Sequence, residues 1–203
     1  KGPQVFHGYK DPRDNSGAWV DDGWFNTGDL GFLDGDGYLF LSGRAKDLII
    51  RGGHNIDPAI IEEALQAHRC VASAIAVGQP DAYAGELPAV FVVLRPGTEC
   101  SVEELHAYCE EHIKERAAIP RRIEIILALP LTAVGKIYKP ALRQRISETT
   151  IREVLAEQQI DATVSSSLDK QRGLVIHVAV ASGSRQAAAE HLLEPFALNI
   201  DFV

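Results

Sequence analysis

The middle of the chain alternates apolar, β-branched runs with helical patterns, and this alternation constrains the fold more than any other feature. The runs VASAIAVGQP and PAVFVVLRPG, on either side of the polar segment DAYAGEL, predict two buried strands. RRIEIILALP predicts a third strand. DLIIRGGHNI is a further β-branched run, which Gly52 and Gly53 interrupt.

Helices are predicted between and after these strands. In DPAIIEEALQAH, Asp57 is a suitable N-cap and Pro58 suits the first helical position. Ser101 opens a second helix as a capping box with Glu104. The apolar face of this second helix is predicted to comprise Leu105, Tyr108, Cys109, His112 and Ile113.

A third helix is predicted from about residue 140 to residue 158, after the loop PLTAVGKIYKP. Strands and helices thus alternate in a compact unit from about residue 47 to residue 147. The predicted fold class is α+β, a small mixed domain with a β-rich piece before it and a small α/β appendage after it.

The first 45 residues are rich in glycine, aspartate and aromatic residues and predict β-hairpins. Asp-Gly pairs at Asp22, Asp34 and Asp36 mark tight turns, and GYLFLSG predicts a strand. The stretch is short for a self-sufficient domain and is expected to need a partner surface. The chain also contains no methionine and begins Lys-Gly-Pro-Gln, so we expect it to be the C-terminal part of a longer protein.

The tail has a pattern of its own. DATVSSSLD and GLVIHVAVAS predict a hairpin, SRQAAAEHLLEPF a capped amphipathic helix, and ALNIDFV a last strand. It shows no catalytic constellation, and structural packing or partner contact is its expected role. The predicted domains are residues 1–45, 46–148 and 149–203.

Charge and cysteine usage exclude several classes of protein. The formal net charge of −8 over 203 residues argues against nucleic-acid binding, because phosphates require a basic surface. No apolar run is long enough to span a bilayer, and no signal peptide opens the chain. Three cysteines, without paired metal spacing, predict reduced thiols in a cytoplasmic protein and no metal site.

Three loops carry side chains suited to a nucleotide. Asp29 follows a glycine at a turn, where a carboxylate can accept hydrogen bonds from two neighbouring sugar hydroxyls. Arg44 is a permanently charged fork, and Lys136 is an ammonium on a flexible stem. Each signal alone is weak, because Thr-Gly-Asp is usually a turn and Gly-Lys usually a solvated loop.

Taken in order, the motifs resemble the adenylate-forming superfamily, which comprises acyl-CoA synthetases, adenylation domains of peptide synthetases and luciferases. GPQVFHGY resembles the segment before the family's adenylate site, and GWFNTGDLG resembles its Thr-Gly-Asp motif. SGRAKDLIIRGGHNIDPAIIEEAL resembles its hinge motif, and PLTAVGKIYKPALR its Pro-x-Thr-x-x-Gly-Lys motif. The resemblance covers Lys1 to about Arg145. It implies a mobile C-terminal domain preceded by the end of a large N-terminal domain.

The resemblance also implies roles for individual residues in adenylation. Asp29 is expected to hold the ribose hydroxyls of ATP and of the acyl-adenylate, and Arg44 to assist at the ribose or phosphate. Lys136 is expected to be catalytic, because it would reach the substrate carboxylate and the α-phosphate and stabilise the crowded charge. Its loop is expected to be extended, with Pro130 and Pro140 limiting its freedom.

The second half-reaction implied by the family is thioester formation with CoA. The small domain is expected to swing about a hinge at Lys46, which brings the Gly52-Gly53 loop to the pantetheine channel. His54 either lines this face or is an exposed loop histidine. Arg51 is expected to be solvated, with contact to the CoA phosphates as the alternative, and Lys139 is expected to be solvated.

The implied protein is therefore an ATP-dependent acyl-CoA synthetase of the fatty acid–CoA ligase type, an acid–thiol ligase that is active only at full length. Its implied cofactors are ATP, Mg²⁺ and CoA, and its partners a carboxylic acid and its own N-terminal domain. The family's phosphate loop, magnesium-binding glutamate and acyl pocket are not in this sequence. The acyl substrate and a homo-oligomeric state stay open.

Two alternatives to a CoA ligase also stay open. One is an adenylation enzyme that loads an aryl or amino acid onto a carrier protein, although the tail has no carrier signature with a phosphopantetheine serine. The other is a non-catalytic binding module.

Overall fold

The computed structural model describes residues 1–21 and 23–203, which form two compact units. The first unit is Lys1–Asp47 and the second is Leu48–Val203. Asp22, one of the predicted turn residues, lies outside the described residues.

The first unit consists of two antiparallel hairpins, as predicted. Its strands are β1 (Trp19–Val20), β2 (Trp24–Phe25), β3 (Asp29–Leu33) and β4 (Leu39–Arg44), with β1 paired to β2 and β3 paired to β4.

Local chemistry explains the turn between β3 and β4. The Asp34 carboxylate accepts hydrogen bonds from the backbone N–H groups of Asp36 and Tyr38, at 3.0 and 2.8 Å. Gly37 provides the positive φ of 85° that this turn needs. The tight turn predicted from the Asp-Gly pairs at Asp34 and Asp36 is therefore confirmed.

A five-stranded sheet forms the centre of the second unit. Its strands are β5 (Ile49–Arg51), β6 (His54–Ile56), β7 (Val71–Asp81), β8 (Gly85–Leu94) and β9 (Arg122–Ile125). Strands β7 and β8 pair antiparallel along their length, and β9 runs parallel to β8. The predicted seven-residue loop between β7 and β8 was too long, because Asp81 pairs with Gly85 and only residues 82–84 form the turn.

Three helices accompany this sheet: α1 (Pro58–Gln66), α2 (Val102–His112) and α3 (Lys139–Glu157). Both predicted N-caps are confirmed. The Asp57 side chain accepts from the Ala59 N–H at 2.9 Å, and Ser101 Oγ accepts from the Glu104 N–H at 3.1 Å. Within the described residues, no helix is both long and apolar enough to cross a membrane.

The apolar face of α2 is narrower than predicted. Leu105, Cys109 and Ile113 are buried in the core. Tyr108 and His112 instead stack on each other with ring centroids 3.8 Å apart, and His112 is exposed. Two of the five predicted positions therefore lie at the rim of the core.

Side chains of β7 and β8 alternate between two apolar layers. Ala74 and Val92, a cross-strand pair, face the layer formed with α1 and α2. Ile75 and Phe91, the next pair, face the layer formed with the first half of α3. The two runs are therefore strands buried on both faces, as predicted.

The tail forms a second, three-stranded sheet with one helix. Its elements are β10 (Ala162–Asp169), β11 (Gly173–Val180), α4 (Gln186–Leu193) and β12 (Asn199–Phe202). The hairpin of β10 and β11, the helix and the last strand are confirmed. The predicted cap of α4 is wrong, because a 3₁₀ turn at Gly183–Arg185 leads into the helix and no side chain caps it.

Helix α3 contributes to both sheets. Leu142 and Ile146, in its first half, pack against β7 and β8, whereas Ile151 and Leu155, in its second half, pack into the tail core. The helix therefore runs without interruption through the predicted boundary between residues 148 and 149. The division into domains 46–148 and 149–203 stays a prediction.

Candidate functional site

Asp29 and Arg44, predicted separately from the sequence, are neighbours in the first unit. They are cross-strand partners at the open end of the β3–β4 hairpin. Arg44 Nε donates to Asp29 Oδ1 at 3.0 Å, with side chains that are 52% and 32% exposed. An acceptor carboxylate and a guanidinium fork therefore lie side by side and remain open to solvent.

The backbone before Asp29 is fixed by short polar side chains. Asn26 Oδ1 accepts from the Gly28 N–H at 3.0 Å, and Thr27 Oγ1 accepts from the Asp29 N–H at 3.1 Å. Gly28 has a φ of 71°, which a residue with a side chain rarely adopts. The Asn-Thr-Gly-Asp segment thus forms a tight turn that presents the carboxylate at the start of β3.

The loop that carries Lys136 is a closed turn, and the predicted extended loop is wrong. Leu131 and Ile137 form an isolated antiparallel bridge. Inside it, Thr132 is bonded to Lys136 from both its backbone and its side chain, since its N–H donates to Lys136 O at 2.7 Å and its Oγ1 accepts from Lys136 N–H at 3.0 Å. Gly135, at a φ of 78°, completes the turn.

The Lys136 side chain lies at the exposed tip of this turn. Its neighbour Val134 is 79% exposed, and Leu131 is 61% exposed. The bonds between Thr132 and Lys136 lie within the turn itself. Such a turn can carry its lysine into a cleft without changing its own conformation.

The base of this projection is tied to α1 through Lys139, which was expected to be solvated. Lys139 Nζ lies 3.0 Å from Glu62 Oε1, and the two side chains are only 22% and 18% exposed. Glu62 Oε1 also accepts from the Ala76 N–H at 3.0 Å. Lys139 therefore anchors the start of α3 to α1 and β7, and the prediction of a solvated side chain is wrong.

Gly52 and Gly53 form a two-residue hairpin turn between β5 and β6. Both have positive φ, 58° and 81°, as a type I′ turn requires. No atom lies within 4 Å of the position that a Cβ would take on either glycine. The turn therefore presents bare, open backbone, to which a narrow ligand can approach closely.

The residues that flank this turn are held in place. His54 Nε2 lies 2.6 Å from Glu115 Oε1, although the imidazole is 59% exposed. Arg51 NH1 donates to the carbonyl of Ala117 at 2.8 Å. Arg51 was expected to be solvated, and this expectation is wrong because the guanidinium fastens β5 to the segment after α2.

Lys46 lies next to the boundary between the two compact units. It belongs to a short 3₁₀ turn, Ala45–Asp47, and the second unit begins at the next residue, Leu48. The role of Lys46 as a hinge stays a prediction.

The structure thus brings together only some of the predicted site residues. Asp29 and Arg44 form one pair in the first unit, whereas Gly52, Gly53 and His54 form a turn in the second unit. Lys136 stands on a separate turn of the second unit, before α3.

A cross-strand row in the tail sheet was missed in the sequence. Ser167 Oγ lies 2.8 Å from His177 Nε2, and His177 Nδ1 lies 4.0 Å from Asp201 Oδ2. Both carboxylate oxygens of Asp201 accept from Arg172, at 2.7 and 2.8 Å, which lowers the pKa of Asp201. At 4.0 Å Asp201 is beyond hydrogen-bond distance of the imidazole, so the row lacks the oriented base of a serine hydrolase.

Comparisons with known proteins agree on one family. Residues 60–136 match the AMP-binding enzyme C-terminal domain family. The marinolic acid–CoA ligase of Pseudoalteromonas sp. (strain SANK 73390) is 51% identical over 83% of this chain and 26% of its own length. The long-chain-fatty-acid–CoA ligase of Bacillus subtilis (strain 168) is 41% identical over 73% of this chain and 26% of its own length.

A solved structure gives the same result. The crystal structure of ATP-bound MatB from Rhodopseudomonas palustris superimposes with a TM-score of 0.69 at 33% identity, over 73% of this chain and 30% of that chain. The chain therefore spans about a quarter of the length of the curated relatives named above.

Proposed function

This chain belongs to the adenylate-forming, AMP-binding enzyme family, and from that membership we propose that it is the C-terminal part of an ATP-dependent acyl-CoA synthetase. The proposed reaction has two steps. A carboxylic acid first attacks the α-phosphate of ATP to give an acyl-adenylate and pyrophosphate, and the thiol of CoA then displaces AMP to give the thioester.

The observation that carries this proposal is the exposed Lys136 on its closed turn. Adenylation brings a carboxylate against a phosphate, so two anions must approach each other. An ammonium 4 Å from a unit negative charge contributes about 4 kcal/mol at an effective dielectric near 20. A stabilisation of that size in the transition state is worth about a thousandfold in rate. Lys136 is the residue that we assign to this role.

Asp29 and Arg44 are the residues that we assign to the nucleotide. Arg44 donates to one oxygen of the Asp29 carboxylate, and both side chains remain partly exposed to solvent. Two adjacent ribose hydroxyls suit such an acceptor, and the guanidinium suits a phosphate or a ribose oxygen. The phosphate-binding loop and the Mg²⁺ ligands would lie in the N-terminal part of the protein.

The open glycine turn at Gly52 and Gly53 is assigned to the second step. A pantetheine arm is narrow and needs close approach of the backbone, which two glycines with free space above them permit. A swing about Lys46 would exchange this turn for the Lys136 turn at the reacting centre. The boundary between the two units at Asp47 supports this hinge.

The exposed apolar residues of the first unit also favour the proposal that an N-terminal domain covers it. Strands β3 and β4 form an isolated two-stranded hairpin, which is marginally stable alone in water. Apolar side chains on it remain exposed, among them Phe32, Leu33, Leu39 and Leu41. We propose that these residues pack against the protein's own N-terminal domain.

Fatty acids or related carboxylic acids are the proposed substrates, because the named relatives are ligases of long-chain fatty acids and of marinolic acid. We also propose a cytoplasmic location. Three free cysteines, Cys70, Cys100 and Cys109, suit a reducing compartment.

Truncation of one lysine tests the proposal. In the intact protein, Lys136→Ala is expected to lower acid-dependent pyrophosphate exchange by about a thousandfold. Lys170→Ala, which truncates an exposed turn lysine of the tail, is the matched control and is expected to leave exchange unchanged. Normal exchange in Lys136→Ala would contradict the role assigned to this lysine. If the unaltered intact protein released AMP with a carrier protein but not with CoA, it would be a carrier-loading enzyme and not a CoA ligase.

A further inference from the structure

Three potential metal ligands from two separate connections meet in the second unit. His68 and Cys70 lie in the connection between α1 and β7, and Cys100 lies just before α2. A ring nitrogen of His68 and the two sulfur atoms all lie within 4.8 Å of one another. His68 is 7% exposed and Cys70 is 5% exposed, whereas Cys100 is partly exposed.

The backbone around these ligands is fixed by hydrogen bonds between the two connections. The carbonyl of Cys70 accepts from the Arg95 N–H at 2.8 Å and from Thr98 Oγ1 at 3.3 Å. In the metal-free chain His68 Nδ1 accepts from the Cys70 N–H at 3.3 Å, and coordination through either ring nitrogen would replace this bond. The three donors therefore come from chain that is already positioned.

A carboxylate completes the group. Glu104 lies in the first turn of α2, and its Oε1 is 3.7 Å from His68 Nε2. The Cys100 thiol donates to the Ser101 carbonyl at 3.7 Å, and burial together with the Glu104 carboxylate raises the pKa of this thiol. Its contact with Arg69, at 3.7 Å, involves a guanidinium that is 82% exposed and contributes little to holding it. Glu104 is thus positioned to supply a fourth ligand.

We propose that His68, Cys70, Cys100 and Glu104 form a binding site for a thiophilic divalent cation, with Zn²⁺ as the metal that fits it best. One nitrogen, two sulfurs and one carboxylate oxygen are the donor types that Zn²⁺ takes in four-coordinate sites. Zn–S bonds of about 2.3 Å and Zn–N bonds of about 2.0 Å place tetrahedral donors roughly 3.5–3.8 Å apart. Contraction of the group by about 1 Å would satisfy this geometry.

The donor set also selects against Mg²⁺, the cation that the proposed reaction uses. Mg²⁺ prefers oxygen ligands in octahedral geometry, whereas two of the four donors here are sulfur. Burial and the neighbouring Glu104 raise the pKa of the Cys100 thiol to about 11 in the metal-free chain. A bound zinc ion would displace the thiol protons.

Coordination would tie two connections of the second unit together. The segment before β7 and the segment before α2 would share one ion, and both helices of that layer, α1 and α2, end or begin beside it. The predicted result is a stiffer second unit, which unfolds at a higher temperature with zinc than without it.

Cobalt substitution is the direct test, carried out on the full chain under reducing conditions. Co²⁺ is expected to bind with a stoichiometry of one, with thiolate-to-cobalt charge-transfer bands and the strong visible bands of a tetrahedral centre. Cys70→Ser and Cys100→Ser are each expected to abolish the charge-transfer intensity of one thiolate. They are also expected to weaken zinc binding by more than about 100-fold, beyond the loss typical of an outer-shell partner. Cys109→Ala, in the same unit but outside the group, is the matched control.

A measurement on the unaltered chain tests the site even if the variants fail to fold. Zinc is expected to slow alkylation of Cys100 by iodoacetamide, as read by mass spectrometry, whereas Mg²⁺ is expected to have no effect. Cobalt binding without thiolate-to-cobalt bands, equal zinc affinity in the Cys100→Ser variant, or alkylation of Cys100 at the same rate with zinc would each overturn the proposal.

Discussion

Apolar strands are exposed to solvent in the first unit and buried in the second. In the first unit, β3 and β4 carry large apolar side chains that remain in water, with Leu33, Leu39 and Leu41 between 65% and 70% exposed. In the second unit, β7 and β8 bury such side chains completely, and Val77 and Phe91 are 0% exposed. The strands differ less in composition than in what covers them.

Helices on both faces explain the difference. Strands β7 and β8 lie between α1 and α2 on one side and α3 on the other, and the first unit has no α-helix among its described residues. A strand that is apolar on both faces needs a layer on each. Asp29 and Arg44 therefore lie on a hairpin whose large apolar side chains remain exposed.

The largest effect that would sharpen this contrast is the loss of a core ring. Phe91→Ala removes a fully buried side chain between β8 and α3 and is expected to destabilise the second unit by about 3–5 kcal/mol. Phe40→Ala, on the exposed hairpin, is expected to change the free energy of unfolding of the chain by less than about 0.5 kcal/mol. Denaturant unfolding followed by circular dichroism measures both.

The same pair of variants can also contradict this comparison between an exposed hairpin and buried strands. Equal losses in the chain would mean that the first unit buries its hairpin and needs no further cover. In the intact protein, the cost of Phe40→Ala is expected to rise if the N-terminal domain covers β4.

The next effect separates the two steps of the proposed reaction. In the intact protein, Gly53→Leu is expected to slow thioester formation by about 100-fold, because the new side chain fills the open turn and misplaces the thiol. Pyrophosphate exchange, which the proposed function assigns to Lys136 and Asp29, is expected to stay close to normal. Rapid-quench measurement of the two steps distinguishes them.

A second glycine controls for backbone strain in that experiment. Gly173 is the first residue of β11, directly after the turn from β10, and it has a φ of 75° with open space above it. Gly173→Leu introduces similar strain and is expected to leave both steps intact. Equal loss of both steps in Gly53→Leu would argue against a separate role for the glycine turn.

Features set by neighbouring residues could be predicted from the sequence. The caps by Asp57 and Ser101 depend on backbone groups two and three residues away, and both are confirmed. The buried strands were predicted from the continuous apolar runs of β7 and β8. Their side chains point alternately into two apolar layers, so both faces are buried. Asp29 and Arg44 were found as two separate motifs, and the sequence could not show that they pair across one hairpin.

Features that join distant parts of the chain could not be predicted. Lys139 meets Glu62 across 77 residues, and Arg51 meets Ala117 across 66. Neither pairing has a local pattern, so a solvated side chain was the natural expectation for both. The closed Lys136 turn was missed for a different reason, because its bond to Thr132 depends on a rotamer that the sequence does not show.

A smaller effect compares the ion pairs of the two units. Lys139→Gln removes the partner of a mostly buried Glu62 and is expected to destabilise the second unit by about 1.5 kcal/mol. Arg44→Gln breaks the more exposed pair with Asp29 and is expected to cost less than about 1 kcal/mol. If thermal unfolding gave the opposite order, burial would not be what distinguishes these two pairs.

The smallest effect concerns two aspartates whose pKa values an arginine lowers. In the first unit, Arg13 lowers the pKa of Asp11 from two residues away. In the second, Arg172 lowers the pKa of Asp201 across 29 residues, from the β10–β11 turn to β12. The first pair can persist in an unfolded chain because it is local, whereas the second exists only when the tail sheet is folded.

Acid unfolding is therefore expected to report on Asp201 and not on Asp11. A folded pKa below the unfolded value, about 3.9 for aspartate, adds stability that is complete above the unfolded pKa and is lost as the pH falls through the folded pKa. Asp201→Asn is expected to lower stability at neutral pH slightly and to make the acid limb of stability against pH shallower. Asp11→Asn is expected to leave that limb unchanged, and a wild-type limb in Asp201→Asn would mean that Arg172 finds the carboxylate in the unfolded chain as well.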